Sequence, residues 1–397
     1  MRILCLTARL PYPPNRGDRL RAYHFLESLA RQHELHLLSF ISSPEELEYV
    51  KELKTFCKDL QVVKMSKRES ILAVSTNLWR PLPLQVLYYR SKEMRHLVKE
   101  KLANTTFDAA YIHLFRMAPY LEGVQGIYRI VDLTDVISRE ITRSLPYRSP
   151  LSRLMYTVER PRIHRYERTV AMRFEEIWLI AEADSRELAT DCPEANIQVI
   201  TNGIDPQCFF PNGDSPRPNS IIFTGHFGVA HNIDAALLLA HQILPLVQKT
   251  IAESTLSLVG AEPSAEVLKL EHLPGVHVSG FVPDLNVYLN RAAVFAAPLR
   301  FAAGIQNKVL EAMATARPVI TTSMVNEGLG AQLGEELIIA DTPQEMARQI
   351  IRLFQQPAIA QTIGQSAHRF VTTKYTWDIV LERANKIEHD LIDQIAK

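Results

Sequence analysis

The sequence predicts an α/β protein built from two parallel-sheet domains. Short apolar runs typical of buried strands alternate with amphipathic helical patterns, and this alternation occurs twice along the 397 residues. A proline-rich stretch, 206–218, separates the two series and is the best candidate for a linker. Several apolar runs are followed by glycine, as expected where a strand turns into a helix beside a ligand. We therefore predict an N-terminal domain over 1–205, a C-terminal domain over 206–375 and a closing helix over 376–397.

The composition excludes several classes of partner and compartment. Lys and Arg together number 44, as do Asp and Glu, so no nucleic-acid partner is expected. The four cysteines lack metal-ligand or CxxC spacing, which favours a reducing compartment. The apolar run at 1–6 is too short for a signal peptide, and no run is long enough to span a membrane. We expect a cytoplasmic protein that can touch the inner face of the plasma membrane.

In the N-terminal series, two residues stand at the carboxyl ends of predicted strands. Gly17 lies in a loop between the first strand and the first helix, flanked by Arg16 and Arg19. It either lets the backbone approach a ligand closely or belongs to a solubilising surface loop. His113 follows the strand 107–112 and either hydrogen-bonds a sugar or phosphate or caps the next helix. The strands of this series are predicted at 3–8, 35–41, 60–65, 107–112, 127–131, 176–181 and 197–200.

The predicted helices of this series include a long arginine-rich segment, 151–174, which Pro161 is expected to kink or divide. Such a helix either lies on an anionic membrane or presents a solvated face. Thr134 or Asp135 is expected to cap the helix that follows the strand 127–131. Further helices are predicted at 44–56, 69–79, 92–102 and 182–190.

The C-terminal series begins with the strand 220–224 and a turn at Gly225. A helix over 232–249 follows this turn, and a last amphipathic helix is expected from Tyr375 to about Ile395. The remaining strands of this series are predicted at 255–259, 276–279, 293–298, 319–322 and 337–340, and the remaining helices at 287–291, 343–355 and 358–373.

The segment 303–313 organises this second series, because a glycine again leads from a strand into a helix. The free N–H groups and the positive dipole end of that helix suit an anion, and Lys308 adds a formal charge. Glu311, one turn further along, suits hydroxyl groups such as those of a ribose. The alternative is a solvent-facing Lys–Glu pair on an ordinary helix. Gly304, Asn307, Lys308 and Glu311 share one face, whereas Ile305, Val309, Ala312 and Ala316 share the face expected to pack on the sheet.

Nearly end to end, the chain resembles the bacterial glycosyltransferases of family four, close to a subgroup associated with exopolysaccharide loci. The resemblance implies the GT-B architecture, in which two Rossmann-like domains face each other across a cleft and the last helix crosses back onto the first domain. It also implies transfer of a sugar from a nucleotide diphosphate sugar with retention of configuration, a hexosyltransferase activity of class EC 2.4. The motifs that carry it are the Gly17 loop, His113, Thr201 to Asp205, Gly225, Gly304 to Met313 and Tyr375 to Asp378.

The resemblance implies roles for individual residues of this chain. Glu311 would bind the ribose hydroxyls of the donor, and Lys308 and Arg300 would face the diphosphate. Gly17 would approach the phosphate and the acceptor from the other domain, and His113 would hold the donor sugar near the reacting carbon. Catalysis is thus assigned to His113, Arg300 and Lys308.

Two departures from the family pattern shape the implied donor site. Ala303 stands where many members have a glutamate, so sugar recognition is expected from backbone N–H groups between Gly304 and Asn307, with Gln306 included. Many members carry an Arg and a Lys after the glycine that matches Gly225, whereas this chain has histidines there. The predicted binding residues for the nucleotide sugar are Gly17, Gly225, Gly304, Gln306, Asn307 and Glu311.

No metal and no cofactor are expected, since the sequence shows no acidic cluster and GT-B members generally need no metal at the transfer step. The expected partners are the nucleotide sugar donor and a glycan or lipid-linked acceptor. Two other functions fit the same resemblance: a nucleotide-sugar epimerase, and a non-catalytic nucleotide-sugar-binding partner of polysaccharide assembly. An NAD enzyme is disfavoured because no strand-to-helix junction carries GxGxxG.

Overall fold

A computed structural model of the protein describes residues 1–385. The chain divides into two compact units, each of which has its own hydrophobic core. Within the described residues, the first unit comprises Met1–Ile200 and 383–385, and the second comprises Thr201–Glu382. Each unit is a parallel sheet flanked by helices, so the predicted α/β class is confirmed.

The sheet of the first unit has seven parallel strands in the order β3-β2-β1-β4-β5-β6-β7. Its central strands are buried on both faces, which explains why they read as continuous apolar runs rather than as an alternation. The strands are Arg2–Thr7 (β1), Glu34–Ile41 (β2), Asp59–Lys64 (β3), Ala109–His113 (β4), Tyr128–Thr134 (β5), Glu176–Leu179 (β6) and Ile197–Val199 (β7).

The helices of the first unit largely follow the predicted order, with one substantial difference. The helix predicted over 44–56 is a 3₁₀ helix, Pro44–Tyr49, that leads into one α-helical turn, Val50–Leu53. No residue of the 3₁₀ segment is buried, so no apolar face holds it in α-helical form. The α-helices are Gly17–Ala30, Val50–Leu53, Lys67–Ser75, Leu84–Tyr88, Lys92–Asn104, Ile137–Ser144, Pro150–Arg173 and Glu182–Asp191, with further 3₁₀ segments at Phe115–Tyr120 and Leu145–Tyr147.

Two local predictions in this unit were wrong. The helix after β5 begins at Ile137 and has Val136 as its N-cap, with no side-chain capping bond. Thr134 instead ends the strand with a positive φ of 66°. The helix Pro150–Arg173 continues through Pro161, so the expected division is wrong, whereas the alternative, a kink, stays a prediction.

The sheet of the second unit has six parallel strands in the order β10-β9-β8-β11-β12-β13. The strands are Ser220–Thr224 (β8), Thr255–Val259 (β9), Val276–Gly280 (β10), Val294–Ala297 (β11), Val319–Thr321 (β12) and Ile338–Ile339 (β13).

The helices of the second unit include two short elements that the sequence did not predict, Ala265–Leu268 and Ser323–Leu329. The helix predicted over 232–249 is interrupted by a π-helical turn, Leu239–Ile243. The α-helices are Ala230–Leu238, Leu244–Gln248, Ala265–Leu268, Leu285–Arg291, Asn307–Ala314, Ser323–Leu329, Pro343–Gln355 and Pro357–Lys374, with a 3₁₀ segment at Lys269–His272.

Two predictions concern the ends of these elements. The helix that follows β11 ends at Ala314, so Ala316, predicted on its packing face, lies beyond it with a φ of 56°. The last predicted helix is present over 377–385, and its predicted continuation to about Ile395 lies outside the described residues. Within the described chain, no helix combines the length and the apolar character needed to cross a membrane.

Gly364 permits a close contact between its helix and the backbone at Ala316. A Cβ at this position would lie 2.1 Å from the carbonyl oxygen of Ala316. We expect Gly364→Ala to lower the free energy of unfolding by about 1–3 kcal/mol, because the backbone must move to admit one methyl group. Gln365→Ala, at an exposed position of the same helix, should change it by less than about 0.5 kcal/mol. Urea unfolding of the two variants measures the difference; a Gly364→Ala protein as stable as wild type would show that the contact relaxes freely.

Candidate functional site

The second sheet has one topological switch point, between β8 and β11. The chain runs outward from β8 through β9 to β10 and then returns to the other side of β8 as β11. Open α/β sheets bind ligands outside the carboxyl ends of the strands at such a point. β8 ends at Gly225, and β11 leads through the loop 298–306 into the helix Asn307–Ala314. The structure therefore places both predicted segments, the Gly225 turn and 303–313, at the switch point.

A chain of hydrogen bonds connects these two segments. Lys308, in the first turn of its helix, donates from Nζ to Asn232 Oδ1 over 2.8 Å. Asn232 is buried, and its amide nitrogen donates to the carbonyl of His226 over 2.9 Å. A Cβ on Gly225 would lie 2.9 Å from the carboxamide carbon of Asn232. Gly225 is thus required for the close approach of the side chain that holds Lys308.

The loop before the helix supplies the second partner of Lys308. Gln306 accepts a hydrogen bond from Lys308 Nζ over 3.1 Å and donates to the carbonyl of Ala303 over 2.6 Å. Gly304 has a φ of 55°, a conformation that glycine adopts readily. Asn307 accepts a bond of 3.0 Å from the buried Asn202. The N-cap residue, Gln306, makes no side-chain capping bond to the described helix, so the first turn presents N–H groups that lack intrahelical acceptors.

Lys308 and Glu311 occupy the same environment, and burial acts on both. Burial lowers the pKa of Lys308 to about 8, against the opposite effect of Glu311. Burial raises the pKa of Glu311 to about 7, although Lys308 favours its charged form. Within residues 1–385, no hydrogen bond to the Glu311 carboxylate is present. The charged form of each group is therefore less favoured than in a surface residue of the same type.

Arg300 follows β11 and lies in the same loop, but its guanidinium faces a carboxylate. Its Nε donates to Asp234 Oδ2 over 2.9 Å, and an Nη atom donates to the other carboxylate oxygen. Asp234 belongs to the helix Ala230–Leu238, which also carries Asn232 and His231. The structure thus brings Arg300 to the switch point as one half of a bidentate ion pair.

The two histidines near Gly225 have different environments. The ring of His231 lies edge-on to Phe301 with 6.4 Å between ring centroids, and burial together with Lys308 lowers its pKa to about 3. His226 lies 3.5 Å from the carboxylate of Glu262. His231 is therefore neutral near pH 7, and the local positive charge comes from Lys308 and Arg300.

The first sheet has its own switch point, between β1 and β4. The order β3-β2-β1-β4 places the outward run β2-β3 on one side of β1 and the returning strand β4 on the other. β1 leads through a loop into the helix that begins at Gly17, and β4 ends at His113. Gly17 therefore begins the helix that follows β1, and His113 ends the neighbouring strand β4.

His113 is buried and holds a neutral imidazole. Burial lowers its pKa to about 4, despite the opposing charges of Asp132 and Asp18. The ring stacks on Tyr111 with centroids 6.4 Å apart. Its Nε2 has no hydrogen-bond partner in the described part of the chain, which leaves one polar atom available for an added group.

Asp18, next to Gly17, is surrounded by positive charge. Its carboxylate accepts a hydrogen bond of 2.7 Å from Arg9. Burial alone would raise the pKa of Asp18, but Arg9, His113, Arg16 and Arg116 hold it below the usual value. Several cations therefore converge at the first switch point around a single carboxylate. Arg19, which the sequence also places beside Gly17, binds Glu46 instead over 2.5 Å.

Sequence reasoning missed the side chains that hold the predicted residues in place. Asn232 and Asp234 come from a helix some 70 residues before their partners Lys308 and Arg300. A weak signal existed, since both are polar residues at the start of an apolar helical run. In the described part of the chain, no three His, Cys, Asp or Glu residues group as a metal site; the expected absence of metal stays a prediction.

A family model for glycosyl transferases group 1 matches residues 218–356, which include the second switch point. A protein of Klebsiella pneumoniae, named as an uncharacterised 44.6 kDa protein in a cps region, is 20% identical over 387 residues. That similarity covers 94% of this chain and 96% of the Klebsiella protein.

Solved structures show where this fold occurs. Sucrose-phosphate synthase from Thermosynechococcus elongatus has a TM-score of 0.73 at 14% identity, over 99% of this chain and 100% of that one. HepE from Anabaena, solved with UDP-glucose, has a TM-score of 0.67 at 13% identity, over 98% of this chain and 100% of its own. The predicted fold class, two Rossmann-like parallel-sheet domains of the GT-B type, is therefore confirmed.

The neutral state of His113 predicts a pH dependence of stability. Its folded pKa is about 4 and an unfolded histidine titrates near 6.5, so the unfolded chain takes up a proton first as the pH falls. Between pH 7 and 5, His113 should cost the folded state about 2 kcal/mol of stability. In His113→Gln this part of the loss should vanish, whereas the exposed His277→Gln should keep the wild-type slope. Urea unfolding at both pH values tests this; equal slopes in His113→Gln and wild type would mean that the folded imidazole is protonated.

Proposed function

We propose that this chain is a retaining glycosyltransferase of the hexosyltransferase type. It transfers a sugar from a nucleotide diphosphate sugar to a glycan or lipid-linked acceptor, in exopolysaccharide or cell-surface polysaccharide synthesis. The group 1 family match over 218–356, the fold and the cps-region relative support sugar transfer in such a process. HepE, of similar fold, binds UDP-glucose, which supports a nucleotide sugar as the donor.

One observation carries the proposal: Lys308 and Glu311 lie one turn apart on the helix at the switch point of the second sheet. The uncapped first turn and the Lys308 ammonium suit the two phosphates of the donor. The Glu311 carboxylate, which lacks a hydrogen bond from the described residues, suits the ribose hydroxyls. Backbone N–H groups between Gly304 and Asn307 would then face the sugar.

The proposed chemistry needs no protein nucleophile. The bond between the anomeric carbon and the diphosphate oxygen breaks, and the new bond to the acceptor oxygen forms on the same face of the sugar. The departing oxygen takes the proton of the acceptor hydroxyl. Negative charge grows on the diphosphate during this step, so a cation already fixed by Asn232 and Gln306 favours it without reorganisation.

In the first unit, His113 and Gly17 would serve the sugar and the acceptor. The His113 Nε2 has no described partner and the imidazole is neutral, so it can exchange a hydrogen bond with a hydroxyl group. The cations around Asp18 would favour an acceptor that carries a phosphate. Neither role requires a metal or a cofactor.

A second candidate function is nucleotide-sugar binding without transfer, and the Arg300–Asp234 pair favours it. Asp234 already accepts two hydrogen bonds from the guanidinium that the resemblance assigns to the diphosphate. If Arg300 stays with Asp234, Lys308 and the helix must stabilise the leaving group without it. Turnover measurements with donor and acceptor separate this candidate from the transferase.

Two substitutions test the donor site by different readouts. Glu311→Ala should weaken donor binding by about 1.5–3 kcal/mol, the usual contribution of hydrogen bonds to a charged group. Lys308→Ala should lower kcat by about 100-fold or more with a smaller change in binding, because its charge acts mainly on the leaving group. Calorimetry with a panel of nucleotide sugars, followed by steady-state kinetics with the donor so identified, measures both.

Glu335→Ala and Lys269→Ala are matched controls, since both residues are exposed in the same unit. They should retain wild-type binding and turnover. Unchanged donor affinity in Glu311→Ala would refute the ribose role. Equal losses of binding and turnover in Lys308→Ala would refute leaving-group stabilisation, and binding without turnover by the wild-type protein would favour the second candidate.

We further propose that the first unit contacts an anionic membrane surface through the helix Pro150–Arg173. Its first half carries an exposed stripe, which we define as Leu151, Leu154, Met155 and Val158, with Leu151 80% and Leu154 66% exposed. This spacing places the four side chains on one helical face. Exposed arginines such as Arg165 and Arg168 follow on the same helix, so apolar and basic groups combine as at a lipid interface.

A second set of exposed apolar side chains lies in the segment 71–79. Ile71 and Leu72 on the helix Lys67–Ser75 are more than half exposed, and Trp79 is 76% exposed. Arg162 ties this segment to the long helix by donating to the carbonyl of Leu78 over 2.9 Å. Exposed apolar groups from two adjacent segments exceed what single surface residues would explain.

Vesicle flotation tests the membrane contact. The triple variant Leu151→Ser, Leu154→Ser and Val158→Ser should float at least ten times less than wild type with vesicles of phosphatidylglycerol, because the inserted apolar area is lost. Leu268→Ser, Phe281→Ser and Leu333→Ser, which remove three exposed apolar side chains from the second unit, form the matched control and should float as wild type. Absence of wild-type binding to these vesicles would reject the contact.

A further inference from the structure

The first unit contains an open cavity of about 690 Å³ whose wall is dominated by arginines. Five arginines line it against one carboxylate, Glu122, and its other walls include Leu82, Val86, Val124 and Tyr166. A volume of this size accommodates a small organic ligand. The combination of cations and apolar walls suits an anion that also has an apolar part. The lining arginines are Arg80, Arg90, Arg95, Arg129 and Arg173.

Two of these arginines are already neutralised. Arg129 is paired with Glu175 over 2.6 Å and also donates to backbone carbonyls of Leu121 and Arg173. Arg173 is paired with Glu122. Among residues 1–385, no carboxylate pairs with Arg80, Arg90 or Arg95. We call these three residues the arginine triad.

Repulsion within the arginine triad acts mainly on Arg90, because Arg80 and Arg95 are exposed to solvent. Burial and the like charges of Arg95 and Arg80 lower the pKa of the Arg90 guanidinium. Arg95 lies in the first turn of the helix Lys92–Asn104, where the helix dipole disfavours a cation. An anion between the three side chains would relieve both costs, because it would screen the repulsion and complement the helix end.

Two arginines of the cavity lie at the edge of the sheet opposite to the edge that carries His113. Arg129 is the second residue of β5, and Arg173 ends the helix that leads into β6. Both therefore mark the amino ends of the strands, whereas the switch-point residues lie at the carboxyl ends. A ligand in this cavity would not compete with one at the switch point of the same sheet.

We propose that the cavity is a second binding site, in which the arginine triad holds the phosphate group of an amphipathic phosphate ester and the apolar walls contact its organic part. This site does not depend on sugar transfer by the protein. The phosphate can belong to a soluble phosphate ester or to the headgroup of an anionic lipid, since the triad recognises the same group in both. The exposed Trp79 next to Arg80 makes a membrane source structurally accessible.

Inorganic pyrophosphate is the first probe, because it presents the charge without the organic part. Calorimetry on wild type and on the triple variant Arg80→Gln, Arg90→Gln and Arg95→Gln should show at least a tenfold loss of affinity in the variant. Arg31→Gln, Arg348→Gln and Arg369→Gln remove the same charge from exposed positions outside both the cavity and the proposed membrane surface, and should bind as wild type. Because both proteins retain the second unit unchanged, pyrophosphate bound there cancels in the comparison.

Thermal unfolding provides a signature that a purely structural role would not produce. Without ligand, the triple glutamine variant should have a Tm equal to or above that of wild type, since repulsion is removed. With pyrophosphate, wild type should gain Tm and the variant should not. A triple lysine variant, which keeps the charge but not the planar fork, should retain part of the gain. A lower Tm of the ligand-free glutamine variant, or pyrophosphate affinity equal to wild type, would overturn the proposal.

Vesicles distinguish the two sources of phosphate. If the ligand is a lipid headgroup, pyrophosphate should displace wild type from phosphatidylglycerol vesicles, and the triple glutamine variant should float less than the control variant. If it is a soluble ester, flotation should be the same in all three proteins while the loss of pyrophosphate binding persists. Donor binding at the second switch point, measured in parallel, should be unchanged in the triple variant; its failure in wild type would refute the proposed function and leave this site intact.

Discussion

The ammonium group of Lys308 is the charge on which the second unit's ligand-binding edge depends. It is held by two carbonyl oxygens, from Asn232 and Gln306, that belong to different segments. Burial lowers its pKa to about 8 and raises that of Glu311 to about 7. In the folded protein, burial therefore disfavours the charged form of both groups. Such an arrangement costs stability unless a ligand supplies the missing partners. This arrangement supports the proposal that the switch point binds an anion together with its attached hydroxyl groups.

The first unit uses the same sheet topology for different chemistry. Its switch point carries a neutral histidine whose Nε2 has no described partner, and a carboxylate, Asp18, surrounded by cations. A neutral imidazole exchanges hydrogen bonds without strong attraction for charge, which suits a sugar hydroxyl better than a diphosphate. One fold, repeated, therefore presents a fixed cation in one unit and a neutral hydrogen-bonding group in the other. The difference lies in a few side chains at equivalent strand ends.

The sequence predicted the strands and both switch-point segments because these signals are local. A buried strand reads as an apolar run, and a glycine after it marks the turn. It did not predict Asn232 as the partner of Lys308, because the two lie 76 positions apart and only the fold joins them. The prediction of one helix over 44–56 was wrong for another reason. The first half of this segment buries no side chain, so no packing supports its helical propensity. Likewise Val136, which cannot cap by a side chain, replaced the expected Thr134 or Asp135.

The distribution of charge shows a similar limit. Composition gives the total charge, whereas only the structure shows which charges lie together. Equal numbers of acidic and basic residues predict a surface without bulk attraction for nucleic acid. Much of that balance is local, since Arg19, Arg129 and Arg139 each lie against a carboxylate. The arginine triad departs from this pattern, because three cations share one cavity wall with no paired carboxylate among the described residues. The electrostatic field in this cavity is set by the positions of these arginines rather than by the net charge of the chain. Zero net charge is therefore compatible with the phosphate site that we propose in this cavity.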